Sequence, residues 1–310
     1  MKKQVAFILK NYGIFIGFLT IVLFLSILSP AFLTLTNILN IIRQTSIHGI
    51  IAVGMTFVIL TAGIDLSVGS LVALTGVLCA GFEHAGWNIL LIIIVTLVIG
   101  SFLGLVNGLV ITKGKVTPFV VTLGMMSIAR GLALIYAKGY PISGFGNAFR
   151  FIGAGYILDI PLPIFIFILT IFIAAVILRN TRLGRYTYAI GGNEETVKLS
   201  GINADFYKTV AYVLSGLTSA LGAIVLTARL NAGEPIAGTG YELDVIASVV
   251  IGGTSLMGGR GSVWGTFIGA LLIGTINNGM NLLGVSSYFQ LVVKGLIIIG
   301  AVLLDRLRET

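Results

Sequence analysis

Apolar residues run along this chain in blocks of about twenty, and polar residues collect in short stretches between them. The first block is Tyr12–Leu28. Others follow at 46–62, 66–82, 88–112, 118–137, 161–178, 208–229, 241–257, 262–281 and 287–304. A helix needs roughly 20 apolar residues to cross a bilayer, so the pattern predicts ten membrane spans. The first block follows Lys2, Lys3 and Lys10 and leads into Ser29-Pro30-Ala31-Phe32 without a small-x-small cleavage site. It reads as an uncleaved first span.

The stretch 47–82 has Asp65 as its only formal charge. As one straight helix it would extend about 54 Å, well beyond a hydrocarbon core of roughly 30 Å. The chain must turn inside it, and Gly63-Ile64-Asp65, Ser67 and Gly69 carry the turn. One of the two short spans is therefore expected to be a broken or partial helix.

Composition agrees with the pattern. Of 310 residues, 57% are hydrophobic and 10% charged; mean hydropathy is +1.07. A soluble domain carries about a quarter charged residues, so a soluble enzyme, a disordered chain and a nucleic-acid module are excluded. The net charge of +8 and the basic pI fit Lys and Arg retained on the cytoplasmic face. With ten alternating spans and the N-terminus inside, thirteen Lys and Arg fall on the inner side. Four, namely Arg43, Lys138, Arg150 and Arg229, fall outside. Both termini are thus expected in the cytoplasm. Cys79, the one cysteine, can form no intramolecular disulfide.

Short echoes suggest an internal repeat. Arg130-Gly131-Leu132 in span five matches Lys294-Gly295-Leu296 in span ten, and Gly63-Ile64-Asp65-Leu66 matches Gly240-Tyr241-Glu242-Leu243. Asn107-Gly108 is echoed by Asn278-Gly279. The copies lie five spans apart, so spans 2–5 and 7–10 would have opposite topology, as in many transporters. Gly100, Gly104 and Gly108, and likewise Gly261, Gly265 and Gly269, recur every fourth residue and read as packing faces.

Charges inside a membrane are costly unless paired or facing water. Asp65 with its neighbour Ser67, Arg130, Glu242, Asp244 and Lys294 are therefore candidates for a translocation path or gate. The competing reading has the cations snorkelling and the acids at helix ends. His48 reads as a packed polar residue.

The longest basic loop spans about 179–208. Within it, Asn193 to Ser200 reads as a short capped helix, with Asn193 as N-cap, Glu194 and Glu195 at the positive end and Lys198 near the negative end. Gly201 is placed to end it. So short a helix needs a docking surface, and its low apolar content favours a protein groove over lipid. The run 252–262, rich in glycine, reads as a tight cytoplasmic turn between packed helices. No G-x-x-x-x-G-K-[ST] loop, H-E-x-x-H or paired-cysteine motif occurs. Energy must then come from a partner, or from ions using Asp65, Glu242 or Asp244 as the coupling carboxylate of a secondary sugar transporter. An intramembrane enzyme lacks a nucleophile–base pair or metal set.

Several segments resemble the membrane permeases of bacterial ATP-binding-cassette sugar importers, the ribose-type family. They are Ala52-Val53-Gly54-Met55-Thr56 running into Gly63-Ile64-Asp65-Leu66-Ser67-Val68-Gly69, then Tyr188-Ala189-Ile190-Gly191-Gly192-Asn193-Glu194 and Leu199-Ser200-Gly201-Ile202, and finally Ala237-Gly238-Thr239-Gly240-Tyr241-Glu242-Leu243-Asp244, Gly252-Gly253-Thr254-Ser255-Leu256 and 277–287. The resemblance covers nearly the whole chain, although Gly258-Gly259-Arg260-Gly261-Ser262 departs from the family's glycine-lysine form. It implies an all-α, polytopic permease in the bacterial inner membrane, one domain over 1–310. It also implies a second permease subunit, a cytoplasmic ATPase that holds ATP and magnesium, and an extracytoplasmic sugar-binding protein, with no cofactor on this chain. The family's coupling loop falls on Gly191–Ile202, which makes Gly192, Asn193, Glu194, Glu195, Lys198, Leu199, Ser200 and Gly201 the expected ATPase-coupling residues. The resemblance looks closest to ribose permeases, while permeases for xylose and galactose are similar enough to leave the sugar open.

Overall fold

Helices dominate the computed structural model. It describes the backbone of residues 2–309 and the side chains of residues 15–300, 302 and 303. The chain runs α1 (Lys2–Leu28), α2 (Leu35–Leu60), α3 (Val68–His84), α4 (Ile89–Thr112), α5 (Pro118–Tyr136), β1 (Ile142–Ser143), α6 (Asn147–Ala154), β2 (Tyr156–Ile157) and β3 (Ile160–Pro161). It continues with α7 (Leu162–Asn180), α8 (Arg182–Gly192), α9 (Glu194–Leu199), α10 (Ala204–Leu230), β4 (Ala232–Gly233), α11 (Tyr241–Ile251), α12 (Val263–Leu282) and α13 (Ser287–Glu309). Among the described residues, α2, α4, α5, α7 and α10 are long and apolar enough to cross a membrane. Shorter apolar stretches lie in α1, α3 and α13. Lys2, Lys3, Lys10, Arg306 and Arg308, part of the inner-face charge count, have side chains outside the described residues.

Several helices depart from the expected boundaries, with α1 beginning at Lys2 instead of Tyr12 and α13 running to Glu309 instead of 304, and two further departures change the picture. The second begins at Leu35 instead of 46, so Arg43 sits within a helix. Polar residues interrupt the apolar pattern over this first part. Thr34 caps α2 by accepting from the Asn37 amide, Asn37 and Asn278 exchange side-chain amide bonds of 3.0 and 2.9 Å, and Arg43 bonds Asn40 and Tyr156. Most of these polar groups thus find protein partners, although Arg43 Nε and Thr45 Oγ1 are buried without one. The span expected at 241–257 stops at Ile251. Its 11 residues reach only about 16 Å, half a bilayer. It is a half-helix: Gly240 (φ 82°) opens it from a non-helical segment, and Glu242 and Asp244 sit in its positively polarised first turn.

The packing repeats itself. α10 lies along α4 as α2 lies along α12; α3 packs on α4 and α5 as α11 packs on α12 and α13. The segments leading into the two short helices meet at Gly69 and Gly238, where a Cβ on either residue would strike the other's backbone. Gly100, Gly104 and Gly108 lie against the backbone of α10 at Gly216, Tyr212 and Thr209. In the second trio Gly265 and Gly269 pack on Gly252 and Ser248, but Gly261 lies before α12 in the loop beside Thr254. The main apolar core is built from α2, α10, α7 and α11.

At one end of the bundle the connection 137–161 carries α6 and three two-residue strands; β2 pairs antiparallel with β3, and β1 pairs antiparallel with β4, which follows α10. None of these was expected, since two-residue strands and an eight-residue helix leave no periodicity to read. Cys79 is buried and free.

Candidate functional site

Asp65 lies in the break between α2 and α3 and is 0% exposed. Its Oδ1 accepts from the Ser67 hydroxyl at 2.5 Å and the Ser67 amide at 3.0 Å; its Oδ2 accepts from the Ser215 hydroxyl at 2.8 Å. Asn107 Nδ2 then donates to the Ser67 hydroxyl at 3.0 Å. Four elements are thus tied to one carboxylate: the break, α3's start, α4 and α10. Because each short polar side chain satisfies the next, the break is tolerated away from water.

The other candidate charges lie along the second half-helix. Arg130, on α5, donates to the carbonyls of Pro235 and Ala237 at 2.9 and 2.7 Å. These carbonyls lack helical partners because the chain is not helical there, and the guanidinium takes the place of the missing donors. Lys294, on α13, reaches Asp244 Oδ2 at 2.8 Å, with Asn277 Nδ2 at 3.5 Å from the same oxygen. Arg130 therefore ties α5 to the non-helical segment before α11, Lys294 ties α13 to α11, and neither snorkels. Glu242 stands beside Gly69. His48 packs against Tyr241 in a tilted arrangement, with ring centroids 4.2 Å apart. The structure therefore divides the six path candidates into two groups. Asp65 and Ser67 join a network closed from solvent, while Arg130, Glu242, Asp244 and Lys294 gather around the start of α11.

The basic loop holds two helices where one was expected. α8 is hard to read in sequence because Gly184, Gly191 and Gly192 depress its helix propensity; tertiary contacts hold it instead. The Tyr188 hydroxyl donates to the Gly261 carbonyl at 2.9 Å. Gly191 fits so tightly that a Cβ there would collide with the Leu60 carbonyl and the Gly259 amide nitrogen. Gly259 in turn donates its amide to Leu60 at 3.0 Å, and Gly258 and Gly259 take φ of 85° and 72° that favour glycine. The glycine-rich run 252–262 thus does more than turn: it joins the end of α8 to the end of α2.

α9 follows at once. Asn193 accepts from the Thr196 amide at 2.9 Å, and Gly201 has φ 77°, as the caps predicted. Val197 is buried with Ile190 and Ala204. Glu194 accepts from Lys198 at 2.7 Å and from Lys208, on α10, at 2.8 Å. Partial burial opposes the charge on Glu194, but the hydrogen bonds from Lys198 and Lys208 outweigh it and hold this carboxyl below its ordinary range. The Glu194 bond likewise raises Lys198. Facing outward are Glu195, Ser200 and Leu199, the last 85% exposed. Lys208 carries no sign of this role in the sequence, because it lies 14 residues from Glu194.

A family model for the permease component of branched-chain amino acid transport systems matches residues 37–302. The chain belongs to this family. It is the multi-pass transmembrane subunit of an ATP-binding-cassette importer in the bacterial inner membrane, not an enzyme; ATP hydrolysis resides on a separate chain. Among its relatives, the ribose import permease protein RbsC of Bacillus subtilis is 52% identical over 98% of this chain and 96% of its own length. The Haemophilus influenzae protein of the same name is 50% identical, covering 94% and 91%. The D-allose transport system permease protein AlsC of Escherichia coli is 42% identical, covering 96% and 92%. No solved structure matches the chain. The ion-coupled alternative, with Asp65, Glu242 or Asp244 as coupling carboxylate, finds no support in this family or these relatives.

Proposed function

We propose that this permease imports ribose and works as a single domain paired with a second copy of itself. The observation that carries the sugar is the near-half identity, over almost the whole chain, to two ribose import permeases, against a lower identity to the allose permease. Both termini and the α8–α9 end face the cytoplasm, in keeping with the bias of Lys and Arg towards that side. ATP and magnesium are held by the ATPase, and this chain needs no cofactor.

α9 is the point where force enters. Its outward residues Glu195, Leu199 and Ser200 dock on the ATPase, and Gly192, Asn193 and Gly201 set its ends. Glu194 and Lys198 connect it to Lys208 at the foot of α10. Movement of α9 is then carried by α10 to α4 and the Asp65 network, and by Gly191 and Gly259 to the end of α2. Arg130, Glu242, Asp244 and Lys294 lie beside the non-helical entry to α11 and provide a weak polar path, because the binding protein carries the affinity.

The sugar is tested by uptake of labelled ribose into cells that have this permease as their sole importer, with unlabelled competitors. Ribose should compete fully, and allose, galactose and arabinose weakly. Stronger competition by any of these three would reassign the substrate.

A further inference from the structure

At the α8–α9 end of the bundle, the last turns of α7 and the first turn of α12 flank an open cavity of about 630 Å³. Phe172 and Val176 of α7 and Trp264 of α12 form its apolar wall; Arg179, Asn180 and Tyr188 form its polar edge. Tyr188 is fixed there by its bond to Gly261. Along the same helix α7 also exposes Ile168, Leu169 and Ile173, which together with Phe172 make an apolar face suited to the bilayer. Trp264 is 58% exposed at the level where α7 ends, the position that interfacial aromatics occupy. Arg179 has no carboxylate partner among the described residues, nor have Arg182, Arg185 and Arg260 near it in the chain or at the loop before α12.

We propose that this cavity is a site for one anionic phospholipid of the surrounding bilayer. An acyl chain lies along Phe172, Val176 and Trp264, and the headgroup phosphate sits against Arg179 with Asn180 beside it. The charge decides the class, since a cation without an acid partner at the membrane interface selects a negative headgroup over a zwitterionic one. The apolar wall decides the source, since free phosphate would leave it uncovered, whereas it continues directly into the lipid-facing side of α7. The lipid would also brace α8 through the ledge at Tyr188. None of this depends on which sugar is carried.

The test uses the full-length permease purified in detergent, with bound lipid read by native mass spectrometry. Phosphatidylglycerol and phosphatidylcholine with identical acyl chains are added in turn. The wild-type chain should retain phosphatidylglycerol in preference, and Arg179→Gln should lower that retention about fivefold. Arg179→Lys should restore most of it, which separates loss of charge from loss of fold. Equal retention of the two lipids by the wild type, or undiminished retention by Arg179→Gln, would overturn the site. Displacement of the lipid by soluble glycerol phosphate would overturn it in favour of a free anion. A disulfide-linked dimer through Trp264→Cys in a Cys79→Ala background would overturn it in favour of a second permease copy.

Discussion

Asp65 accepts three hydrogen bonds without a formal cationic partner within ion-pair distance among the described residues. Replacing it with Leu would leave the Ser215 and Ser67 hydroxyls buried without an acceptor, each at a cost of roughly 1–3 kcal/mol. Asp65→Leu should therefore lower the melting temperature of the purified permease and impair uptake. Asp65→Asn, which keeps one acceptor oxygen, should do less. A leucine variant that melts and transports like the wild type would demote Asp65 to an ordinary helix end. At the second half-helix the expected loss is larger. Lys294→Met strands the Asp244 carboxylate in a buried site, at about 3–5 kcal/mol. Adding Asp244→Asn should recover most of that stability in thermal unfolding, and a purely additive double variant would argue against the pair. The sequence showed that these residues were unusual, because a charge in an apolar run stands out. It did not show their partners. Ser215 is 150 residues from Asp65 and Asn107 is 40 from Ser67, and a serine or asparagine in a membrane helix gives no sign of its direction.

Among the elements, α9 was readable because caps and dipole charges are local, a matter of a few adjacent residues. α8 and the first part of α2 were not, because non-local contacts support them against their composition. The same contrast separates the entries to the two short helices, α3 and α11. Gly63 and Asp65 announced the first break, but the second was hidden by the apolar continuity of 241–257, which the chain achieves by folding back after Ile251. For α9, replacing both Glu194 and Glu195 with Lys would place positive charge at the positive end of the helix, on the order of 1 kcal/mol against it. It would also remove the carboxylate that Lys198 and Lys208 share, and with it the tie between α9 and α10. The double variant should insert normally but fail to co-purify with the ATPase. Unchanged co-purification would move the docking surface elsewhere on this end of the bundle.

For the whole molecule, the repeated packing of α2 to α5 by α10 to α13 places two broken spans back to back at Gly69 and Gly238. Backbone contact this close leaves no side chain between the halves, so a shift of α3 must displace the segment leading into α11. α10 touches both the Asp65 network, through Ser215, and α9, through Lys208. On the proposed mechanism, a push at the loop would reach the centre through this one helix. The central claim is that force from a partner's ATP hydrolysis, and not an ion gradient, drives sugar through this chain. It is tested most directly in proteoliposomes that contain the permease, with labelled ribose and the binding protein outside. Uptake should require both the ATPase and ATP within the vesicles, and a proton or sodium gradient should not replace them. Ribose uptake by the permease alone, driven by either gradient, would contradict the account.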